Sequence, residues 1–370
     1  MNVLFVSSNI KIIFSVCLMS LLLQPIIVHA ELNLRMLTWE GYSPDTQVEA
    51  FTNKMTKKYG EKVNFNITYV SSADEFFKHL RTGDVDVIAP SHNLILDERY
   101  KLVSKKLLIP IDLNNIPNYS KIIPSLQKAA YATKDGKVYS VPLVHGPYGL
   151  AYNTKELSAP NSWNILWDSK YKGKYTLSSD YHEANIYVTA LALGVDKKNI
   201  TDIERLSQPD VLKKLSQLIA GASHMWEGVD AVKDLENNQL GAAWGFSFPE
   251  LAKKGQSWSM ADPKEGTTGW VDGHSLGKTL ASNPKLKEIA EAWINYSLSD
   301  DFQLEVIVQG IGSAPVNTAI KDRMTAKDIA AFHMDDPDYF KNSRILWPTL
   351  NQRQRNFFKN LWEQALKGGK

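Results

Sequence analysis

Hydrophobic positions along the chain follow two alternating periods, and the changes between them mark its elements. Apolar residues dominate from Leu32 to Leu37, as in a buried strand, and Thr38-Trp39-Glu40-Gly41-Tyr42 follows as a loop. Val48, Phe51, Met55 and Tyr59 then recur at helical spacing behind Ser43 as cap and Pro44 at the first helical position, and Gly60 ends the run. Val63, Phe65, Ile67 and Tyr69 alternate with Asn64, Asn66 and Thr68, which predicts a second strand. Ser72 caps a short helix through Phe76, Phe77 and Leu80, and Val85 to Ala89 is a third strand, stopping at Pro90-Ser91-His92-Asn93. This β-α-β-α-β order predicts parallel strands with right-handed crossovers. Ligands of such sheets sit at the carboxyl ends of strands, so Trp39 to Tyr42 and Ser91 to Asn93 are the loops to watch.

The pattern then repeats. Val141 to Asn153 reads as strand material crossing from one α/β lobe to another, with Gly146 and Pro147 in the crossing. Trp163 to Lys174 reads as a surface loop rich in Lys and Trp. Tyr175 to Ser178 is a strand running into Asp180-Tyr181-His182-Glu183, and Ile186 to Leu193 is helical. Leu235 to Trp244, with Gly245-Phe246-Ser247 after it, repeats the strand-to-loop step. Asn283-Pro284 caps a helix that turns Leu286, Ile289, Ala290 and Trp293 inward, and a last amphipathic helix carries Phe357, Phe358, Leu361, Trp362 and Ala365. Two α/β lobes joined by several crossings are the simplest account.

Composition narrows the partners. Lys11 is the only charge in the first 30 residues, an apolar run follows from Ile12 to Leu23, and Val28-His29-Ala30 has the small-x-small form of a cleavage site. Residues 1–30 therefore read as a secretory signal peptide; Gln24-Pro25 breaks the run below transmembrane length. Cys17, the only cysteine, lies inside it, which predicts a mature chain without thiol, disulfide or cysteine-ligated metal and leans toward a bacterial periplasm. With 42 basic against 40 acidic residues, the charge balance gives no reason to expect nucleic acid or an anionic membrane as partner.

The densest chemistry is Thr267-Thr268-Gly269-Trp270-Val271-Asp272-Gly273-His274. In an extended backbone the period of two sends Trp270 and Asp272 to the same side, so one surface offers an indole face and a negative charge. That pair suits a cationic ligand with methylenes: the ammonium takes the carboxylate and the chain lies on the ring. Asp-Gly is also a common hairpin turn, and a strand Trp is usually core. Asp180-x-x-Glu183 matches a capping box, and spacing alone favours that reading over ammonium binding. Trp39, Tyr42 and Trp244 are each more often core than site. Aromatic and acidic residues nevertheless recur together at four predicted strand ends, a concentration that packing alone does not require.

With these residues in place the chain resembles the spermidine/putrescine-binding periplasmic proteins, a branch of the bacterial extracellular solute-binding proteins, from about Leu32 to the C-terminus. The resemblance rests on Trp39-Glu40-Gly41-Tyr42, Asp86 to Ser91, Val141-Pro142 with Gly146 and Asn153, Ser162-Trp163 with Trp167 and Tyr171-Lys172-Gly173, Asp180-x-x-Glu183, Trp244, Pro263-Lys264-Glu265-Gly266, Trp270-x-Asp272, and Ile311-Gly312 with Pro315 and Asn317. It implies a two-lobed α/β periplasmic binding protein fold of type II, with discontinuous domains and a hinge: residues 31–142 and 273–315 in one lobe, 143–272 and 316–370 in the other. It implies aromatic walls at Trp39, Tyr42, Trp244 and Trp270, ammonium partners at Asp180, Glu183 and Asp272, and a contribution from Ser91 and Asn93. It further implies a monomer without cofactor or metal, located in the periplasm, whose partner is an inner-membrane ABC permease or, in a norspermidine-sensing branch, a membrane signalling receptor. Glu40, His92-Asn93 and His145 depart from the family's usual residues. Glu40 as a fourth carboxylate favours a triamine, spermidine or norspermidine, over a diamine, and His92, His145 or His182 could make binding pH-sensitive.

An enzyme is the competing class. The chain has no Gly-x-Ser-x-Gly turn, no His-Glu-x-x-His helix and no phosphate-cradling glycine loop. Asp180 and Glu183 on one turn stand too close for opposed acid and nucleophile roles. An iron binder would require a tyrosine pair or a carboxylate-histidine cluster that the sequence does not assemble.

Overall fold

The computed structural model describes residues 31–336, 338–342 and 344–368. The expected export signal, residues 1–30, lies outside them. Among the described residues no helix is long and apolar enough to cross a membrane.

The alternation of Val63–Tyr69 gives a strand with those bounds, paired parallel to Leu32–Thr38, which pairs parallel on its other side with Val87–Ile88. The helix Asp45–Tyr59 starts one residue later than expected: Pro44 holds the cap position and Ser43 is buried against Met36 instead of capping. Gly60 closes that helix in the left-handed region at φ 67°. Ser72 and Glu75 form the capping box of Ala73–Thr82. Phe51 packs edge-on to Trp293 at 5.1 Å, and Trp293 meets Phe65 at 4.8 Å. These rings join the first helix, the sheet and the helix Pro284–Ser297, whose cap is Asn283, into the first core.

Two long strands carry the chain between lobes. Val141–Asn153 and Thr267–Gly277 pair antiparallel, Trp270 opposite Gly146, with the register shifting between Asp272 and Gly273. At one end Ser275 and Leu276 pair with Val87–Ile88; at the other Gly149 to Tyr152 pair with Leu240–Ala243, which lies parallel to Tyr175–Ser178. Each half-sheet is thus completed by a strand that continues into the other half, an arrangement that allows bending at the crossing without breaking either core. Asn317 bridges to Ile122 and Thr318 Oγ1 donates to the Lys121 carbonyl, so this stretch packs on the first half.

The second half is built round His182–Ala192, buried from Ala184 to Ala192 and packed by Gln352–Gly368 and Pro209–Gly221. The buried amide on this helix is satisfied: Asn185 accepts from Tyr148 Oη at 2.8 Å and donates to the Ser178 carbonyl at 2.7 Å. The expected surface loop at 163–174 is corrected here. Trp163 is fully buried and donates to the Gly266 carbonyl at 2.9 Å, while its lysine neighbours stay outside. Lys spacing reveals which side of such a segment is wet but not that the indoles turn inward.

Candidate functional site

Thr267–Gly277 places Trp270 and Asp272 on one face, as its period requires, and both line a cavity of about 520 Å³ between the halves. Gly146 makes room for the indole: a Cβ there would lie 2.6 Å from Trp270 Cζ2. Gly146→Ala is therefore expected to push Trp270 into the cavity, weaken ligand binding and destabilise the fold by about 1–3 kcal/mol, read by denaturant unfolding alongside a binding titration.

Asp272 is 4% exposed. Tyr42 Oη donates to its Oδ2 at 2.8 Å and Ser91 Oγ to its Oδ1 at 2.5 Å. Burial pushes its carboxyl up to about 7, opposed in part by those two hydroxyls. Among the described residues no cation pairs with it. Two donors leave acceptor capacity unused, since an ionised carboxylate has about four lone-pair sites. The first strand end thus supplies Tyr42, the third supplies Ser91, and the crossing strand supplies the charge they orient.

Aromatic faces enclose that charge. Trp244 meets Trp270 at 6.4 Å, Tyr181 at 4.9 Å and Trp347 at 5.4 Å, and Phe246 meets Trp270 at 5.8 Å. Trp39 lines the same cavity edge-on to Phe76, and Glu40 stands at its exposed rim. Asp230, buried and without a cation among the described residues, holds the Trp244 loop: it accepts from the amides of Trp244, Gly245 and Ser247 and from Ser247 Oγ, at 2.7 to 3.3 Å.

Asp180, Glu183 and Asn93 line a second chamber of about 290 Å³ that shares Trp39, Ser91, Tyr181 and Trp347 with the first. Seven of the ten candidate residues therefore meet in one cavity and three in its neighbour. The capping-box reading of Asp180-x-x-Glu183 is corrected: Tyr181 occupies the cap position without a side-chain bond. Asp180 instead accepts from Ser178 Oγ at 2.8 Å and from the Gly228 amide at 2.9 Å, and the carboxylate of Glu183 lies 3.5 Å from His182 Nε2. Asp180 stands just ahead of the cap position, and its contacts with Ser178 and the 228 loop hold it there.

Tyr181, Phe246 and Trp347 were missed from the sequence as walls. Trp347 arrives from far along the chain: Arg344–Leu346 pairs parallel to Thr267–Gly269, and Trp347 N donates to the Gly269 carbonyl at 3.1 Å. His92 fastens it. Val271 N donates to His92 Nδ1 at 3.2 Å and His92 Nε2 donates to the Trp347 carbonyl at 2.9 Å. Burial lowers the His92 pKa to about 4 and holds that of His145 well below the ordinary range, so both rings stay neutral and neither supplies the pH sensitivity expected of them.

Residues 84–343 match the family described as Bacterial extracellular solute-binding protein. The chain belongs to that family. This solute-binding protein is 27% identical over 319 residues to the spermidine/putrescine-binding periplasmic protein 1 of Haemophilus influenzae, covering 84% of this chain and 81% of that one. Its fold is that of the spermidine/putrescine ABC transporter substrate-binding protein PotD from Streptococcus pneumoniae, with a TM-score of 0.73 at 19% identity over 92% of this chain and 100% of that one. The binding protein MotA of A. tumefaciens B6, solved with glucopine, superposes at 0.62 with 16% identity over 92% and 100% of the two chains. The same two-lobed architecture therefore carries different solutes, and the choice among them rests with side chains.

Proposed function

We propose that this solute-binding protein closes on a polyamine and presents it to a membrane partner. The observation that carries this reading is Asp272, a buried carboxylate without a cation, set among Trp270, Trp244 and Tyr42. An ammonium supplies the missing charge, and methylenes lie along the rings. The 27% identical relative is named for spermidine and putrescine, which supports the class. Thermal unfolding and calorimetry against polyamines, amino acids and an opine test it: spermidine should raise the midpoint by mass action, and a panel in which only amino acids or opines do so ends the reading.

The second acidic chamber supports a triamine over a diamine. One ammonium meets Asp272, the chain passes Trp39 and Tyr181, and the far nitrogens reach Asp180 and Glu183, with Glu40 at the rim and Asn93 and Ser91 as polar contacts. Asp180→Asn with Glu183→Gln should weaken spermidine by about tenfold or more and putrescine far less, by calorimetry. Equal losses would exclude the assignment of a nitrogen to each chamber.

The hinge of this reading is the pair of crossing strands. We take residues 31–142 and 273–315 as one lobe and 143–272 and 316–370 as the other; the contacts of Asn317 with Ile122 and of Thr318 with Lys121 support a boundary a few residues later than 315. Export to the periplasm through the N-terminal segment, action as a monomer and delivery to an ABC permease complete the proposal, and the PotD relative's name supports the transporter. The alternative partner is a membrane signalling receptor of the norspermidine-sensing kind. Co-purification from membranes with a permease or with a signalling protein decides between them.

A further inference from the structure

A third cavity, of about 250 Å³, shares Trp244 with the polyamine cavity and also reaches Gly146, the residue on which Trp270 rests. Its walls are mainly apolar: Phe248, Trp258, Met260, Val308 and Phe332. Arg344 lines it and is 7% exposed. The strand Thr267–Gly277 yields a side chain to admit this residue, since a Cβ on Gly269 would lie 2.6 Å from Arg344 Cδ. Gly269 alternates with Trp270, so Arg344 lies across the face of the strand turned away from the polyamine.

The guanidinium is poorly served there. Nε has no hydrogen-bond partner among the described residues, Nη1 reaches the Thr268 carbonyl only at 3.4 Å, and Tyr339, whose ring lies 4.9 Å away and whose hydroxyl shares a hydrogen bond with the group, is neutral. Among the described residues it forms no ion pair with a carboxylate. Asp262 lies in its field, but that side chain is 72% exposed and pairs with His333 at 3.2 Å. Asp328, at the cavity's edge, accepts from Thr325 Oγ1 at 2.7 Å. A buried, fixed positive charge without a matching anion is costly, and the guanidinium fork fits a carboxylate bidentately.

We propose that this cavity is a second ligand site, one that takes a small carboxylate with an apolar body, its carboxylate on Arg344 and its body against Trp258, Phe248 and Phe332. A bare inorganic anion would leave the apolar walls unfilled. A polycation is repelled, so the two sites take ligands of opposite charge. Lys327 at the rim adds attraction of the same sign.

Benzoate and its neutral analogue benzamide, titrated against the protein in calorimetry and thermal unfolding, test the proposal. Benzoate should bind saturably and, at about a hundred times its dissociation constant, raise the unfolding midpoint by a few degrees, while benzamide does neither. Arg344→Met should abolish the benzoate response and leave spermidine binding in the same preparation unchanged. Should Arg344→Met fail to fold, Ala331→Trp, which narrows the cavity from its rim and leaves the guanidinium in place, should abolish the response as well. Absence of benzoate and hexanoate binding at millimolar concentration, an equal response to benzamide, or a benzoate response that survives both variants overturns it. Spermidine binding, read separately, keeps its failure distinct from that of the polyamine reading.

Discussion

Asp272→Asn protein is expected to bind spermidine at least about thirtyfold more weakly than the native protein, by calorimetry at pH 8, because stranding one member of a buried, hydrogen-bonded charge pair costs about 2–5 kcal/mol. Its unliganded stability should move the other way. Asp272 is buried, receives only the hydroxyls of Tyr42 and Ser91, and has no cation among the described residues. An amide of the same shape removes the uncompensated charge; one hydroxyl keeps donating to its oxygen and the other rotates to accept from its NH2. The unfolding midpoint without ligand should therefore be equal to or above that of the native protein. A variant that loses both binding and stability would mark Asp272 as structural; one that keeps its affinity for spermidine would remove the observation on which the polyamine reading rests.

Much of this site was legible because the strand period is rigid. Trp270 and Asp272 share a face for the reason that any residues two apart on a strand do, and the run Val141 to Asn153 proved to be one crossing strand with those bounds. The parallel pairing of the first three strands followed from the order of periods. Legibility ended where side chains leave periodic segments. Tyr181 lay inside the acidic motif that drew attention to its neighbours, and Phe246 followed Trp244 in a loop whose shape depends on Asp230. Trp347 is brought to the cavity by a strand pairing with Thr267–Gly269 and by His92, contacts that no local spacing encodes. The Asp180-x-x-Glu183 spacing suits a cap or a ligand equally, and only the bonds to Ser178 and Gly228 separate the two. His92 and His145 were read as departures from the family's usual residues; burial makes the first a fastener between Val271 and Trp347 and packs the second against Phe340 at 4.7 Å.

Spermidine affinity is expected to fall as pH drops from 8 to 5, and Asp272 rather than a histidine should set the midpoint. Burial raises this carboxyl to about 7, and the groups facing it are Tyr42 and Ser91, which donate to it, and Tyr181, whose own pKa burial raises further. A polyamine nitrogen is already protonated throughout this range, so a proton on Asp272 competes directly with the ammonium. For a group of pKa about 7, linkage gives a loss of about a hundredfold in apparent affinity between pH 8 and pH 5, approaching tenfold per pH unit at the acid end. The sign for stability is opposite. In the unfolded chain an aspartate titrates near about 4. Between that value and about 7 the unliganded folded state holds a proton that the unfolded state lacks, so this group's contribution is greatest at low pH and is lost as pH rises through about 7. Spermidine should restore it by replacing the proton with an ammonium. Calorimetric titrations from pH 5 to pH 8 on native protein and Asp272→Asn separate this account from one based on His182, which lies 3.5 Å from Glu183. A slope that persists in Asp272→Asn assigns the proton to the second chamber, and a flat native profile shows that Asp272 is ionised before the ligand arrives.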